Sequence, residues 1–295
     1  MKSNNNGRAF EYCITQYILD HRNDVEIDRI TRQQQTRDLE KFVSLSVDLQ
    51  KKFTKAAQKY NELLPEKVVS IRRLTDTEGQ KGNPADLEVK YIDSMGKYII
   101  KNISLKNNHL AVKHQRPGAL ISQLGVYDPT KNKEMDYRER IKLIENSFFL
   151  EVENAKFDTA QEVIFKELKN YDENIILNLY RNICGLVTLT LNEHHANADS
   201  FFKFLVSTLD FEKVILQGNS LVVQRWYDLD IPESMHATLD GDSYINIKFT
   251  NGFIFRMRLH TASSKCRVGK AISLKFDTRL FGIEGFLIPE EKYEL

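Results

Sequence analysis

The sequence predicts a mixed α/β (α+β) fold: a central mixed sheet flanked by helices, with a C-terminal helical and β-hairpin region added to it. Three observations lead there. Apolar residues recur at helical spacing up to Pro65, after which the period drops to two. An Asn251-Gly252 pair joins two alternating runs near the C-terminus, a strong hairpin signal. Helical and strand patterns also follow one another without the strict βαβ alternation of a doubly wound sheet.

In chain order, Phe10, Cys13, Ile14, Tyr17 and Ile18 form one apolar stripe on a first helix over residues 7–19, for which Ser3 or Asn6 is a candidate cap. A long second helix is expected over 31–64, with Leu39, Phe42, Val43, Leu49, Phe53, Ala56, Ala57 and Tyr60 inward and Pro65 as its stop. Strands follow at 67–74, 85–92 and 98–106, the first two separated by the breaker Gly82-Asn83-Pro84 and the last two joined by a turn at 93–97 containing Gly96. A polar bridge, Asn107-Asn108-His109, leads to helical turns broken at Arg116-Pro117-Gly118. Residues 128–133 are the best linker candidate, dividing the chain into 1–130 and 131–295, with the C-terminal part either a separate domain or an extension of the core sheet. Residues 135–209 read as helices, and the tail returns to strands, notably 243–250 and 253–260.

Length and composition set the outer limits. With 295 residues, 41% hydrophobic and 28% charged, the chain has room for one large domain or two modest ones. No run approaches a membrane span, and the polar N-terminus has no hydrophobic signal core, so a cytoplasmic, soluble protein with no membrane partner is expected. Cys13, Cys184 and Cys266 lie far apart, without the spacing of a disulfide framework or a thiolate metal site. No GxxxxGK[ST] run occurs, which excludes a phosphate-loop nucleotide enzyme. The net charge is 42 − 41 = +1, but it is unevenly spread. Between Lys97 and Arg116 there are five Lys/Arg and no acid; between Thr250 and Arg279 there are seven against one acid, Asp277. Two basic stretches inside a near-neutral chain fit a protein that meets phosphate on one face.

The residues that carry chemistry sit on the 85–106 hairpin. With the turn centred on Met95, an unbulged pairing sets Asp86 opposite Ser104, and Lys106 projects from the same face two residues on. Glu88 and Asn102 follow one step behind. A carboxylate, an adjacent lysine and an oxygen-ligated Mg²⁺ are the parts needed to hydrolyse a phosphodiester. Glu11, flanking the first helix's apolar stripe, is a second candidate metal carboxylate, and Glu88 a third. Asn107, Asn108, His109, Lys113, His114 and Arg116 beside this hairpin are candidate DNA contacts. On the tail strand Arg256, Arg258 and His260 alternate to one face, suited to major-groove readout. Ser263, Ser264 and Lys265, with Arg267 and Lys270, are suited to phosphate. Ser273-Leu-Lys275 repeats Ser104-Leu-Lys106 without a Pro-x-Asp at hairpin distance, and is read as structural or DNA-contacting.

Pro84-x-Asp86 with Lys106 ending the next strand resembles the PD-(D/E)xK nuclease fold, and Gly7-Arg-Ala-Phe-Glu11 resembles that fold's first-helix carboxylate. Ile103-Ser-Leu-Lys-Asn-Asn-His-Leu-Ala-Val-Lys-His-Gln-Arg-Pro117 resembles the type II restriction endonucleases of the HaeIII group. So do Phe255-Arg-Met-Arg-Leu-His-Thr-Ala-Ser-Ser-Lys265 and Ser273-Leu-Lys-Phe-Asp277. The resemblance implies a restriction-endonuclease-like core at 1–130 and a DNA-recognition region at 131–295. It also implies Mg²⁺-dependent cutting of double-stranded DNA at a short palindromic, GC-rich site such as GGCC, by a prokaryotic homodimer with a companion DNA methyltransferase. Asp86 and Glu11 would hold the metal, Lys106 would position water, and Ser104 stands where the wider fold has an acid. A structure-specific repair nuclease and a catalytically degenerate DNA-binding protein are the rival readings.

Overall fold

Helix α1 (Lys2–His21) buries the stripe laid out in the sequence, with Ala9, Phe10, Cys13, Ile14 and Ile18 all inside. In this computed structural model, residues 2–75, 78, 83–108, 111–157, 162–207 and 209–295 are described; Gly82 and His109 lie outside them. Helix α1 begins at Lys2, so positions 3 and 6 both lie within it. The expected 31–64 helix is two helices, α2 (Arg29–Val43) and α3 (Val47–Leu63). Ser44 ends the first, and the Ser46 side chain accepts from Leu49 N–H to start the second. Phe53, Ala56, Ala57 and Tyr60 of α3 are buried as expected, while Leu39 and Val43 of α2 face solvent. Helix α2 instead buries Thr31, Gln34, Gln35 and Asp38, a polar face.

That polar face exists because of one arginine. Arg73, at the end of strand β1 (Val68–Arg73), is only 1% exposed. Its Nη2 donates to Glu11 on α1 (2.8 Å) and to Asp38 on α2 (2.9 Å), and its Nη1 donates to Gln35 (2.9 Å). The Arg73 backbone N–H also donates to Thr31 Oγ1 (2.9 Å). Two helices and a strand thus share one buried guanidinium, whose planar fork satisfies several acceptors at once.

The chain divides into two compact units. The first comprises Met1–Leu110, Ser207–Leu229 and Ile288–Leu295; the second comprises Ala111–Val206 and Asp230–Leu287. The division expected near residue 130 is not the one observed. Residues 128–133 lie within the second unit, where Asp128 accepts from Thr130 and Lys133 N–H and leads into a helix. The first unit recovers distant strands because its sheet needs them. Strands β2 (Leu87–Ile92), β3 (Tyr98–Asn107), β6 (Phe211–Gln217), β7 (Ser220–Trp226) and β13 (Glu290–Glu294) complete the order β1-β2-β3-β6-β7-β13. Every neighbouring pair is antiparallel except β3 and β6. Leu87, Val89, Ile103, Leu105, Val214 and Leu216 pack with α1 and α3 in one apolar core. Burying each large side chain of this kind contributes ~1.5–3 kcal/mol.

The second unit contains β4 (Ala111–Gln115), a 3₁₀ turn (Pro117–Ala119), α4 (Leu120–Gln123), α5 (Asn132–Asn154), β5 (Glu162–Ile164), α6 (Phe165–Tyr171), α7 (Glu173–Glu193) and α8 (Ala198–Val206). Strands β8 (Met235–Asp240), β9 (Tyr244–Phe249), β10 (Phe253–Thr261), β11 (Lys265–Arg267) and β12 (Leu274–Ile283) follow. The main sheet runs β4-β12-β10-β9-β8, and β11 pairs with β5. Strand β4 is not legible as a strand in the sequence, because five residues beside the Pro117-Gly118 break carry too short an alternation. Phe202 of α8 fastens the sheet's inner face, its ring 5.1–6.2 Å from those of Phe249, Phe253 and Phe255. The Asn251-Gly252 turn forms as expected, with Gly252 at φ +87°.

Two stability predictions follow from these contacts. A side chain at Gly252 would meet the carbonyl oxygen of Glu284, 2.1 Å from an added Cβ. With φ also in the left-handed region, Gly252→Ala should cost more than about 1 kcal/mol, read as a lowered urea midpoint. Asp38 gives a pH test. Burial opposes its ionisation, but hydrogen bonds from Arg37 and Lys41 and the charge of Arg73 hold its carboxyl well below the ordinary range. A carboxyl depressed on folding contributes stability that is full above its unfolded pKa of about 3.9 and lost as pH falls through the folded value. Asp38→Asn should therefore lower the urea midpoint at pH 7 and flatten its decline below pH ~4; an unchanged acid slope would exclude this role.

Candidate active site and nucleic-acid interface

The β2–β3 hairpin forms in the register its sequence predicts. Leu87 pairs with Ile103 and Glu88 with Asn102, without a bulge. The turn explains why. Asp93 Oδ1 accepts from the N–H groups of Met95 (2.9 Å) and Lys97 (2.8 Å), and Gly96 supplies the left-handed residue at φ +78°. At the far end Asp86 N–H donates to the Ile103 carbonyl (2.8 Å), which holds Asp86 against β3.

Asp86 Oδ2 then collects three donors: Leu105 N–H at 2.6 Å, Lys106 Nζ at 3.3 Å and Ser104 Oγ at 3.4 Å. The Asp86 and Lys106 side chains remain 27% and 22% exposed, so the pair is anchored from behind yet reachable from solvent. Residues Asp86, Ser104 and Lys106 are thus brought together as expected. Glu11 is close enough to feel the charge of Asp86. Burial raises its pKa first, and repulsion from Asp86 raises it further, while Arg73 partly offsets both. A carboxylate pushed toward protonation by burial and by a neighbouring carboxylate is the electrostatic condition that a divalent cation relieves.

This donor set fits Mg²⁺. It consists of hard oxygens, and the hydrogen bonds to each carboxylate fall on one oxygen, Oδ2 of Asp86 and Oε2 of Glu11. Mg²⁺ commonly takes one or two carboxylates and completes its shell with water and substrate phosphate. Among the described residues no group of three or more His, Cys, Asp or Glu is placed to hold a metal ion, so any site here is a sparse one. Glu88 is not part of the cluster in the same way, since Arg72 binds it through Nε at 2.8 Å.

One neighbour escapes sequence reasoning. Lys213 on β6 pairs in register with Ser104 and is 3% exposed. Burial, then the charge of Lys106, pulls its pKa down to about 7. Its Nζ lies 5.9 Å from the Trp226 ring centroid. The available signal was Glu212-Lys213 inside the otherwise apolar strand Phe211–Gln217, where two charges in a fully buried run call for partners. Glu212 has them in Tyr60 (2.8 Å), Lys101 (2.8 Å) and Tyr227 (3.1 Å).

In the second unit, the outer face of the β4-β12-β10-β9-β8 sheet gathers the tail residues. On β10, Phe255, Met257 and Leu259 are buried, while Arg256, Arg258 and His260 point the other way. Asp277 on β12 lies beside Arg258 and His114 in register, and Lys275 and Arg279 on the same strand face adjoin His260 and Arg256. Asp277 binds both histidines, His114 Nδ1 at 2.6 Å and His260 Nε2 at 3.1 Å. Burial opposes its ionisation, but the two rings hold its carboxyl below the usual range. Arg256 is fixed by an ion pair with Asp240 and by the Tyr244 and Phe281 rings, 4.4 and 5.0 Å away. Arg258 is exposed. The result is a basic sheet face on which Asp277 holds His114 and His260, and Asp240 holds Arg256. Lys275 and Arg279 join the residues singled out in the sequence.

Other candidates stand elsewhere. Lys113 alternates to the opposite face from His114, its Nζ 4.8 Å from the Phe204 ring. Arg116 donates to Ser273 Oγ (3.3 Å). Lys265 pairs with Glu162 (2.6 Å), Ser263 Oγ accepts from Lys265 N–H (3.4 Å), and the Ser264 carbonyl accepts from Phe165 N–H (3.1 Å), so this loop is tied to β5. In the first unit Asn108, at φ +51°, donates to Asn107 Oδ1 (3.4 Å) and accepts from Gly218 N–H (3.2 Å), closing the β3–β6 end. His109 lies outside the described residues. Cys13, Cys184 and Cys266 are free and buried, their thiols pushed up to about 12, 12 and 11 by burial, which leaves them unreactive. No described helix is long and apolar enough to cross a membrane.

Comparison with known proteins gives one clear likeness. No protein-family profile matches the chain, and no solved structure matches it. The type II restriction enzyme HaeIII of Haemophilus aegyptius is 25% identical over a 331-residue alignment that covers 97% of this chain and 96% of that protein. A similarity of that extent, spanning both units, supports a relationship to restriction endonucleases.

Proposed function

We propose that this chain is a Mg²⁺-dependent type II restriction endonuclease that hydrolyses double-stranded DNA at a short specific site. The observation that carries the reading is the Asp86–Ser104–Lys106 cluster, assembled on one hairpin end beside Glu11, in a chain alignable end to end with a restriction enzyme. Asp86 and Glu11 would hold the metal, which would supply charge neutralisation at the scissile phosphate and lower the pKa of a bound water. Lys106, restrained by Asp86, donates to the phosphate or to the attacking water and orients it. Leu105 N–H and Ser104 Oγ keep Asp86 from rotating away, so the serine's work is positioning. Arg73 fixes Glu11 from behind.

The outer sheet face of the second unit is the proposed DNA-reading surface. Arg256, Arg258, Lys275 and Arg279 offer guanidinium and ammonium donors to base edges and phosphates. Restraint of His114, His260 and Arg256 by Asp277 and Asp240 lowers the ordering cost of contact. Cleavage of both strands of a palindrome calls for a two-fold homodimer. In a cell, a methyltransferase protecting the same site would be its companion, and the cytoplasm its place.

Incubation with unmethylated linear phage-length DNA tests the reading. Discrete fragments should form with Mg²⁺ and not with EDTA. Asp86→Asn and Lys106→Ala should each lower the cleavage rate at least ~100-fold, while Ser104→Ala should cost only about fivefold, one lost hydrogen bond. Smearing that ignores sequence would point to a structure-directed nuclease. A gel shift without cleavage would point to a degenerate binding protein. For the reading surface, Arg258→Ala should weaken binding to the mapped site by about 1–3 kcal/mol and relax its specificity; unchanged affinity would remove Arg258 from the interface.

A further inference from the structure

Within the second unit lies a cavity of about 490 Å³ that the proposed cleavage chemistry does not use. Its lining combines three kinds of surface. Ile141 and Phe149 of α5, with Ile272 and Leu274 at the start of β12, form an apolar floor. Arg116, Arg138, Lys142 and Lys270 place four cationic side chains on its walls. Glu145 of α5 supplies a carboxylate that is 8% exposed. One Glu145 oxygen accepts from Ile272 N–H (2.9 Å), and among the described residues no ion pair reaches it. Burial raises its pKa, only partly offset by that N–H.

Each surface narrows the ligand. A half-buried phenylalanine beside aliphatic side chains accepts a planar ring, and such stacking is sequence-tolerant. Cations around an apolar floor accept an anionic group attached to that ring. The carboxylate excludes a purely apolar or purely anionic occupant, because a buried acceptor needs a donor. An exocyclic amine on a base provides that donor, the same pairing by which Glu reads the cytosine amine. A lipid lacks the amine, and a bare phosphate lacks the ring.

We infer that this cavity binds one nucleotide, an amine-bearing base stacked on Phe149 with its amine on Glu145 and its phosphate among Arg116, Arg138 and Lys270. The nucleotide has two possible sources, a free nucleoside monophosphate or a nucleotide swung out of bound DNA, as enzymes that bring a base into a pocket do. The inference rests on the nuclease reading only for the second source.

The test uses the Asp86→Asn chain, so that DNA stays intact. One arm titrates it calorimetrically with dAMP, dGMP, dCMP and TMP. The other adds duplexes carrying a single 2-aminopurine opposite an abasic site and follows fluorescence. Binding is expected in at least one arm, with TMP weakest among the free nucleotides. Ala271→Trp, which fills the cavity from an exposed lining position and removes no charge, should weaken binding at least tenfold. Phe149→Ala should do likewise, and Glu145→Gln should narrow the gap between TMP and the others. Silence in both arms, or binding unchanged by Ala271→Trp, overturns the inference. Failure of the nuclease reading registers separately, as wild-type protein that never cuts while the free-nucleotide arm still responds.

Discussion

The register of one hairpin governs everything chemical in the first unit. Side chains alternate across a strand, so a slip of one residue between β2 and β3 would send Ser104 and Lys106 into the apolar core and turn Ile103 and Leu105 outward. The slip is blocked at both ends. Asp93 and Gly96 set a tight turn, and Asp86 is held to β3 by a backbone hydrogen bond and by the Leu105 N–H on its carboxylate. Leu87, Val89, Ile103 and Leu105 enter the core in the same register. Burial and site geometry thus demand the same pairing, which is what makes the cluster reproducible.

Arg73 plays a comparable part for Glu11. A buried guanidinium is costly to desolvate, and paired acceptors offset that cost. Asp38, Gln35 and Glu11 accept from its two terminal nitrogens, while Nε is buried without a partner among the described residues, and Asp38 is further held by Arg37 and Lys41. Glu11 is therefore restrained while its other oxygen remains without a hydrogen bond from the described residues. A carboxylate near Asp86 that was neutralised completely by Arg73 would attract a cation poorly. Here burial and Asp86 outweigh Arg73, and the Glu11 pKa is raised. The balance leaves a cation something to stabilise.

Local pattern carried far in this sequence, and failed where contacts are non-local. The α1 stripe, the β2–β3 register, the Asn251-Gly252 turn and the alternation of Arg256, Arg258 and His260 all depend on neighbours a few residues away. So did the cluster of Asp86, Ser104 and Lys106, because one turn connects its parts. Arg73 was missed because its partners lie 35 to 62 residues away on two other elements. Gln35 is one of those partners, and nothing in the local glutamine run at 33–35 marks it as such. The composition of the two units is not legible locally because β6, β7 and β13 join the first sheet from beyond residue 206, and local patterning carries no information on which distant strands pair. Lys213 comes from that same distant segment.

A near-neutral net charge is often taken as evidence against nucleic-acid binding. The outer sheet face of the second unit shows how a basic surface coexists with such a total. Its acids are few and each is paired: Asp277 with the His114 and His260 rings, Asp240 with Arg256. Such pairs orient donors more than they cancel the charge of the face, since Arg258, Lys275 and Arg279 make no ion pair among the described residues. Restrained cations lose less entropy on meeting phosphate than free ones do. Other acids among the described residues pair elsewhere, as in the Glu162–Lys265 and Glu291–Arg225 pairs. A sum over the whole chain therefore averages away the one quantity that matters for recognition, the charge presented on a single face.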